Sequence, residues 1–134
     1  MRIDLTGVLP TGAPQRSGVP DPHQTVSIPQ GANIDIHVKV VDGATGAAVS
    51  LLGATVTLAI KKKPADNPPA IFKTAASPSA EAVFLLVPAD TKNMVPGRFV
   101  YDVWVTTGVS PNTVRNPVVP LSTLILEAAA TPPP

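Results

Sequence analysis

Between positions 33 and 41, Ile34, Ile36, Val38 and Val40 alternate with Asp35, His37 and Lys39. A period of two places successive side chains on opposite faces of a strand, so the apolar set is expected in a core and the polar set in water. Ala54, Val56, Leu58 and Ile60 repeat the pattern against Thr55, Thr57 and Lys61, and this second strand runs out in Lys61, Lys62, Lys63 and Pro64. The intervening Asp42-Gly43-Ala44-Thr45-Gly46 carries turn chemistry. The strongest strand comes later, with Phe99, Tyr101, Val103 and Val105 on one face and Val100, Asp102, Trp104 and Thr106 on the other. Shorter strands are predicted at 70–74, 82–87, 118–119 and 122–127. Pro88 to Asn93 suits a single helical turn, because proline is tolerated at a first-turn position. No segment has sustained helical periodicity.

About seven or eight short strands with turn signals every 8 to 12 residues or so predict an all-β fold, an immunoglobulin-like β-sandwich. Its predicted core is Ile34, Ile36, Val38, Val56, Leu58, Ile60, Leu85, Phe99, Tyr101, Val103 and Val105. Phe84, Phe99, Tyr101 and Trp104 fall close together in the chain and mark the centre of the fold, since aromatic side chains bury the largest areas. Three regions follow: an extended Pro/Gly-rich arm at 1–23, the sandwich at 24–127, and an Ala/Pro-rich tail at 128–134. In the arm, Pro10, Pro14, Pro20 and Pro22 with Gly7, Gly12 and Gly18 disfavour a long helix or a central strand. Its apolar residues Ile3, Leu5, Val8 and Leu9 are the predicted partner-binding residues, suited to strand addition on a partner's exposed edge. The competing expectation is that the arm folds back and covers an edge of its own sandwich.

Composition narrows the function. The chain has 134 residues, enough for one domain. Charged residues make up 14%, against about 25% in an average domain. Ten cations against nine anions give a net charge of +1, which lacks both the basic excess of a nucleic-acid binder and the charge of a disordered polyelectrolyte. With no cysteine there is no disulfide framework, thiol nucleophile or thiolate metal site. Asp4 interrupts the stretch where a signal peptide needs an apolar run, and no apolar run approaches membrane-spanning length.

Candidate chemistry is sparse. His37 lies on the polar face of the first strand, where a solvated side chain is expected, and His23 is expected as a solvated loop histidine, with pairing to Asp21 the lesser alternative. No two of the nine carboxylates lie within three residues of each other, so no acidic calcium loop is present. Asp102 stands out because it interrupts an apolar strand beside Trp104; the favoured expectation is an exposed position. Lys61, Lys62 and Lys63 with Lys73 and Arg98 have no interleaved aromatic residue and fit a solvated strand edge. The residues therefore predict no catalytic, metal or cofactor site, and a protein that is not an enzyme.

Three segments carry a resemblance. The strand at 33–41, the run Leu52-Gly53-Ala54-Thr55-Val56-Thr57-Leu58-Ala59-Ile60-Lys61-Lys62-Lys63, and the run Val95-Pro96-Gly97-Arg98-Phe99-Val100-Tyr101-Asp102-Val103-Trp104-Val105 resemble the N-terminal immunoglobulin-like domain of phage baseplate upper proteins and related small phage virion modules. The likeness covers about residues 30–127, with Leu51 and Leu52 where an Asp-Leu-Thr is common and Phe99 in place of a first tyrosine. It implies a non-enzymatic structural protein of a tailed-phage virion, made in the host cytoplasm and docking on the tail or baseplate. The alternatives are a capsid decoration (cement) protein and, in another class, a carbohydrate-binding module, for which an exposed aromatic platform is the discriminating feature. The implied partners are other virion proteins, including copies of itself, in a large assembly, with no nucleic acid or membrane.

Overall fold

A computed structural model describes residues 1–9, 23–76, 78–108 and 113–128. Eight strands and one helical turn follow in the order β1 (Arg2–Leu9), β2 (Val26–Pro29), β3 (Ile34–Asp42), β4 (Thr55–Lys61), β5 (Ile71–Thr74), β6 (Ala82–Leu86), α1 (Pro88–Thr91), β7 (Gly97–Thr107) and β8 (Val114–Glu127). They form a three-stranded sheet in the order β1-β3-β6 and a five-stranded sheet in the order β2-β8-β7-β4-β5. The all-β sandwich expected from the alternation is the fold observed. The pairings β1 with β3 and β2 with β8 are parallel. Parallel neighbours cannot be joined by a tight hairpin, and here the chain satisfies this by stepping between sheets, with β1 and β3 in one and β2 in the other.

The core is the set of facing side chains from both sheets. Ile34, Ile36, Val38 and Val40 of β3 meet Val56, Leu58 and Ile60 of β4, with Phe99, Tyr101, Val103 and Val105 of β7, all buried. Leu85 departs from the expected core: it is 58% exposed, while Phe84 and Leu86 are buried. Val83-Phe84-Leu85-Leu86-Val87 is apolar throughout, so no alternation announces its inner face. The pairing with β3 decides it, because Phe84 lies opposite Ile36 and Leu86 opposite Ile34, both of which point inward.

The expected segments at 118–119 and 122–127 are parts of one strand, β8, that pairs with β7 along its length. Register shifts between Tyr101 and Trp104 lie opposite the stretch containing Pro117 and Pro120. Those prolines are tolerated because β2 pairs only with the Leu124–Glu127 end of β8, leaving the other edge of the proline segment without ladder bonds to make.

The loops form as their residues dictate. Asp42 Oδ1 accepts hydrogen bonds from the amides of Ala44 and Thr45 at 2.8 and 3.0 Å, closing the predicted turn, and Gly46 supplies its left-handed residue at φ 74°. In α1 the Val87 amide donates to Asp90 Oδ2 at 2.8 Å. The buried Thr91 Oγ1 accepts from the Gly31 amide at 2.8 Å, and Gln30 Nε2 donates to the carbonyls of Lys92 and Met94, tying the helical turn to the β2–β3 connection.

Candidate functional site

The predicted partner-binding residues Ile3, Leu5, Val8 and Leu9 belong to β1, a strand of the sandwich. This corrects both the division into an arm and a separate domain at its first nine residues and the assignment of these side chains to a partner. Leu5 and Val8 are 4% and 8% exposed, and Ile3 and Leu9 pack partly buried against the same core. The physical reason is register: Ile3, Leu5 and Gly7 lie beside Ile36, Val38 and Val40, so β1 continues the inward-facing rows of β3. Proline and glycine exclude a central strand, and β1 is an edge strand that stops before Pro10. Gly7 suits a close approach, since a Cβ there would stand 3.0 Å from Val118 Cβ and Val118 would have to shift to admit it. The rest of the predicted arm, 10–22, and the tail beyond 128 lie outside the described residues.

The free side of β1 is held by Gln24. Its side-chain amide pairs with the Thr6 backbone as a neighbouring strand would, Nε2 donating to the carbonyl at 3.0 Å and Oε1 accepting from the amide at 3.4 Å. The Gln24 carbonyl in turn accepts a hydrogen bond from the Tyr101 hydroxyl on the opposite sheet. Burial pushes the Tyr101 phenol up to about 12, against a smaller opposing effect of a hydrogen bond with Ser122.

The titratable candidates separate. His37 is half-buried, and its Nδ1 lies 2.9 Å from Glu81 Oε1, so the expected solvated histidine is a paired one. The hydrogen bond from His37 holds the Glu81 carboxyl below its ordinary value, with Arg2 and Lys39 adding to the effect and burial opposing it. His23 is exposed, and Asp21, the partner of the lesser alternative, lies outside the described residues. Two of the lysines are engaged: Lys73 Nζ is 3.0 Å from Asp90, and Lys62 Nζ donates to the Arg98 carbonyl and sits 4.7 Å from the Phe99 ring centre. Burial pushes the Asp90 carboxyl up, but the Val87 amide and Lys73 outweigh it and leave it lowered. Among the described residues no cluster of three or more His, Cys, Asp or Glu side chains could hold a metal ion.

A concavity of mixed chemistry lies on the outer face of the five-stranded sheet. Its volume is about 160 Å³, and Thr57, Ala59, Phe72, Asp102, Trp104 and Arg115 contribute to its lining. Register explains it. Across β4, Ala59 has Phe72 on one side and Asp102 on the other, and Thr57 lies next to Trp104, so small residues lie between two large rings. Phe72 is 59% exposed, and the Arg115 guanidinium stacks 4.5 Å from the centre of the half-buried Trp104 ring. Asp102 is half-buried on this outer face beside Trp104, more covered than the exposed position expected of it. Phe72 and Arg115 were not foreseen as its neighbours; the signal, Phe72 out of phase with the buried Ile71, becomes readable only once β5 is set against β4.

The described residues define an all-β sandwich of a three-stranded and a five-stranded sheet. No family model and no curated protein matches the chain. Among solved structures it is similar to the N-terminal domain of phage TP901-1 ORF48, with a TM-score of 0.56 and 10% identity, covering 95% of this chain and 99% of that one. Weaker likenesses are to dithionite-reduced auracyanin from the photosynthetic bacterium Roseiflexus castenholzii, with a TM-score of 0.43, 11% identity and coverage of 94% and 96%, and to a rusticyanin variant, with a TM-score of 0.43, 14% identity and coverage of 94% and 78%. At such identities the likeness is one of fold, and the chain shares the fold of a phage protein's N-terminal domain.

Proposed function

We propose that this chain is a non-enzymatic structural protein of a tailed-phage virion, a β-sandwich module that docks on the tail or baseplate among other virion proteins. The observation that carries the reading is the co-extensive match to a phage protein domain, which covers nearly the whole of both chains. It is supported from a separate direction by the strand and turn motifs at 33–41, 52–63 and 95–105, which resemble phage virion modules. Fold likeness alone assigns no role, so the particle itself is the test.

Mass spectrometry of gradient-purified particles whose genome encodes this chain is expected to detect it at a fixed ratio to the tail proteins. Its absence from particles overturns the reading. Gold-labelled antibody is expected at the tail or baseplate, and labelling confined to the head would replace docking on the tail with capsid decoration.

A further inference from the structure

We infer that the pocket on the outer face of the five-stranded sheet binds a single neutral sugar ring of a glycan. The inference goes beyond the virion assignment and does not depend on it. Phe72 is the open aromatic surface at 59% exposure, while Trp104 forms the other wall with Arg115 stacked on it. Between them Ala59 and Thr57 keep the floor low, because neither side chain rises as far as the rings beside it. Asp102 borders this floor, and among the described residues its carboxylate has no hydrogen-bond or ion-pair partner. Lys61 completes the charged lining together with Arg115.

The ligand class follows from what these groups require. An apolar ligand would strip water from Asp102, Lys61 and Arg115 without replacing its hydrogen bonds, a cost of roughly 1–3 kcal/mol for each group left unpaired. A phosphate would leave the Asp102 carboxylate without a donor, and a quaternary amine would leave Lys61 and Arg115 without acceptors. A hydroxyl both donates and accepts, so vicinal hydroxyls on one ring can serve Asp102 as donors and the cations as acceptors. The C–H face of such a ring would lie against Phe72, which offers a flat apolar surface. Size limits the ligand further. The pocket holds about 160 Å³, below the roughly 300 Å³ at which sites for drug-sized ligands begin, so one ring fits and an extended ligand would cross the surrounding surface. A site this small and open would bind in the millimolar range and gain strength by repetition across copies.

The sole tryptophan of the chain lines the pocket, so emission excited beyond the tyrosine absorption band comes from Trp104 and reports on this site. The full chain is titrated with methyl glycosides of glucose, galactose, mannose and N-acetylglucosamine, and separately with inorganic phosphate and choline. At least one glycoside is expected to give a saturable change in Trp104 emission. Asp102→Asn, which keeps the side-chain shape, and Phe72→Ala are each expected to weaken it by about tenfold or more. Leu85→Ala on the opposite sheet should bind as the parent does, and melting temperatures of the variants identify any loss that is merely unfolding. The inference is overturned if no glycoside saturates, if Asp102→Asn binds as the parent does, or if phosphate or choline saturates the site and the glycosides do not.

Discussion

Replacing Tyr101 with phenylalanine removes one oxygen from the point where the two sheets are tied through Gln24. The side chain is 1% exposed, its hydroxyl donates to the Gln24 carbonyl, and the Gln24 amide pairs with Thr6 of β1. Losing that donor leaves a partly buried carbonyl short of a partner, which costs about 1–2 kcal/mol near neutral pH. At about 3–5 °C per kcal/mol for a domain of this size, the variant should melt roughly 3–10 °C lower.

The same residue sets an alkaline limit. Burial pushes the folded phenol up to about 12 from its ordinary 10.0, so its neutral form is the one the fold favours. Its contribution is fully present below the unfolded pKa and is lost as pH rises from about 10 towards about 12, a loss of about 2–3 kcal/mol. Tyr101→Phe carries no such group. The stability difference should therefore shrink through this window and reverse near its top, with the variant the more stable. Because Tyr101 is the only tyrosine, phenolate absorbance measures its ionisation directly, and chemical denaturation at a series of pH values measures the difference. A phenolate midpoint near 10 in the folded protein, or a stability difference that stays constant with pH, would refute the reasoning.

Three further outcomes follow from named contacts. Leu5→Ala should cost about 2–4 kcal/mol in denaturant unfolding, and deletion of residues 1–9 should lower the melting temperature far more, because β1 supplies core side chains. Gly7→Ala should destabilise by about 1–3 kcal/mol, and Val118→Ala in the same chain should recover part of that loss, since the added methyl meets the Val118 side chain. Glu81 is lowered chiefly by its hydrogen bond with His37, so its contribution is present above the ordinary glutamate pKa and lost as pH falls through the folded value. Melting temperatures of the parent and Glu81→Gln should accordingly converge on acidification; parallel curves would contradict the pairing.

The sequence by itself determined the strands that alternate. β3, β4 and β7 have one apolar and one mixed face, so period alone placed Ile36, Leu58 and Tyr101 inside and set Asp102 and Trp104 on the opposite face from Tyr101, while the aromatic cluster that marked Trp104 as central is split, with Trp104 half-buried on the outer face. Turn chemistry likewise placed the bend at Asp42–Gly46 and the helical turn after Pro88, because those residues bond their own local backbone. Tertiary structure decided the cases in which local pattern is silent. The apolar run at 83–87 reads the same in either phase until β3 fixes Phe84 inward and Leu85 outward. Ile3, Leu5, Val8 and Leu9 look equally suited to a partner or to their own domain, and the open edge of β3, the parallel register along it and a glycine opposite Val118 decide for the latter. The pocket is the furthest from the sequence, since Phe72 and Asp102 are thirty positions apart and face each other only across Ala59. Strand pairing is a long-range interaction, and a local alternation fixes which face a residue occupies without fixing its neighbours on that face.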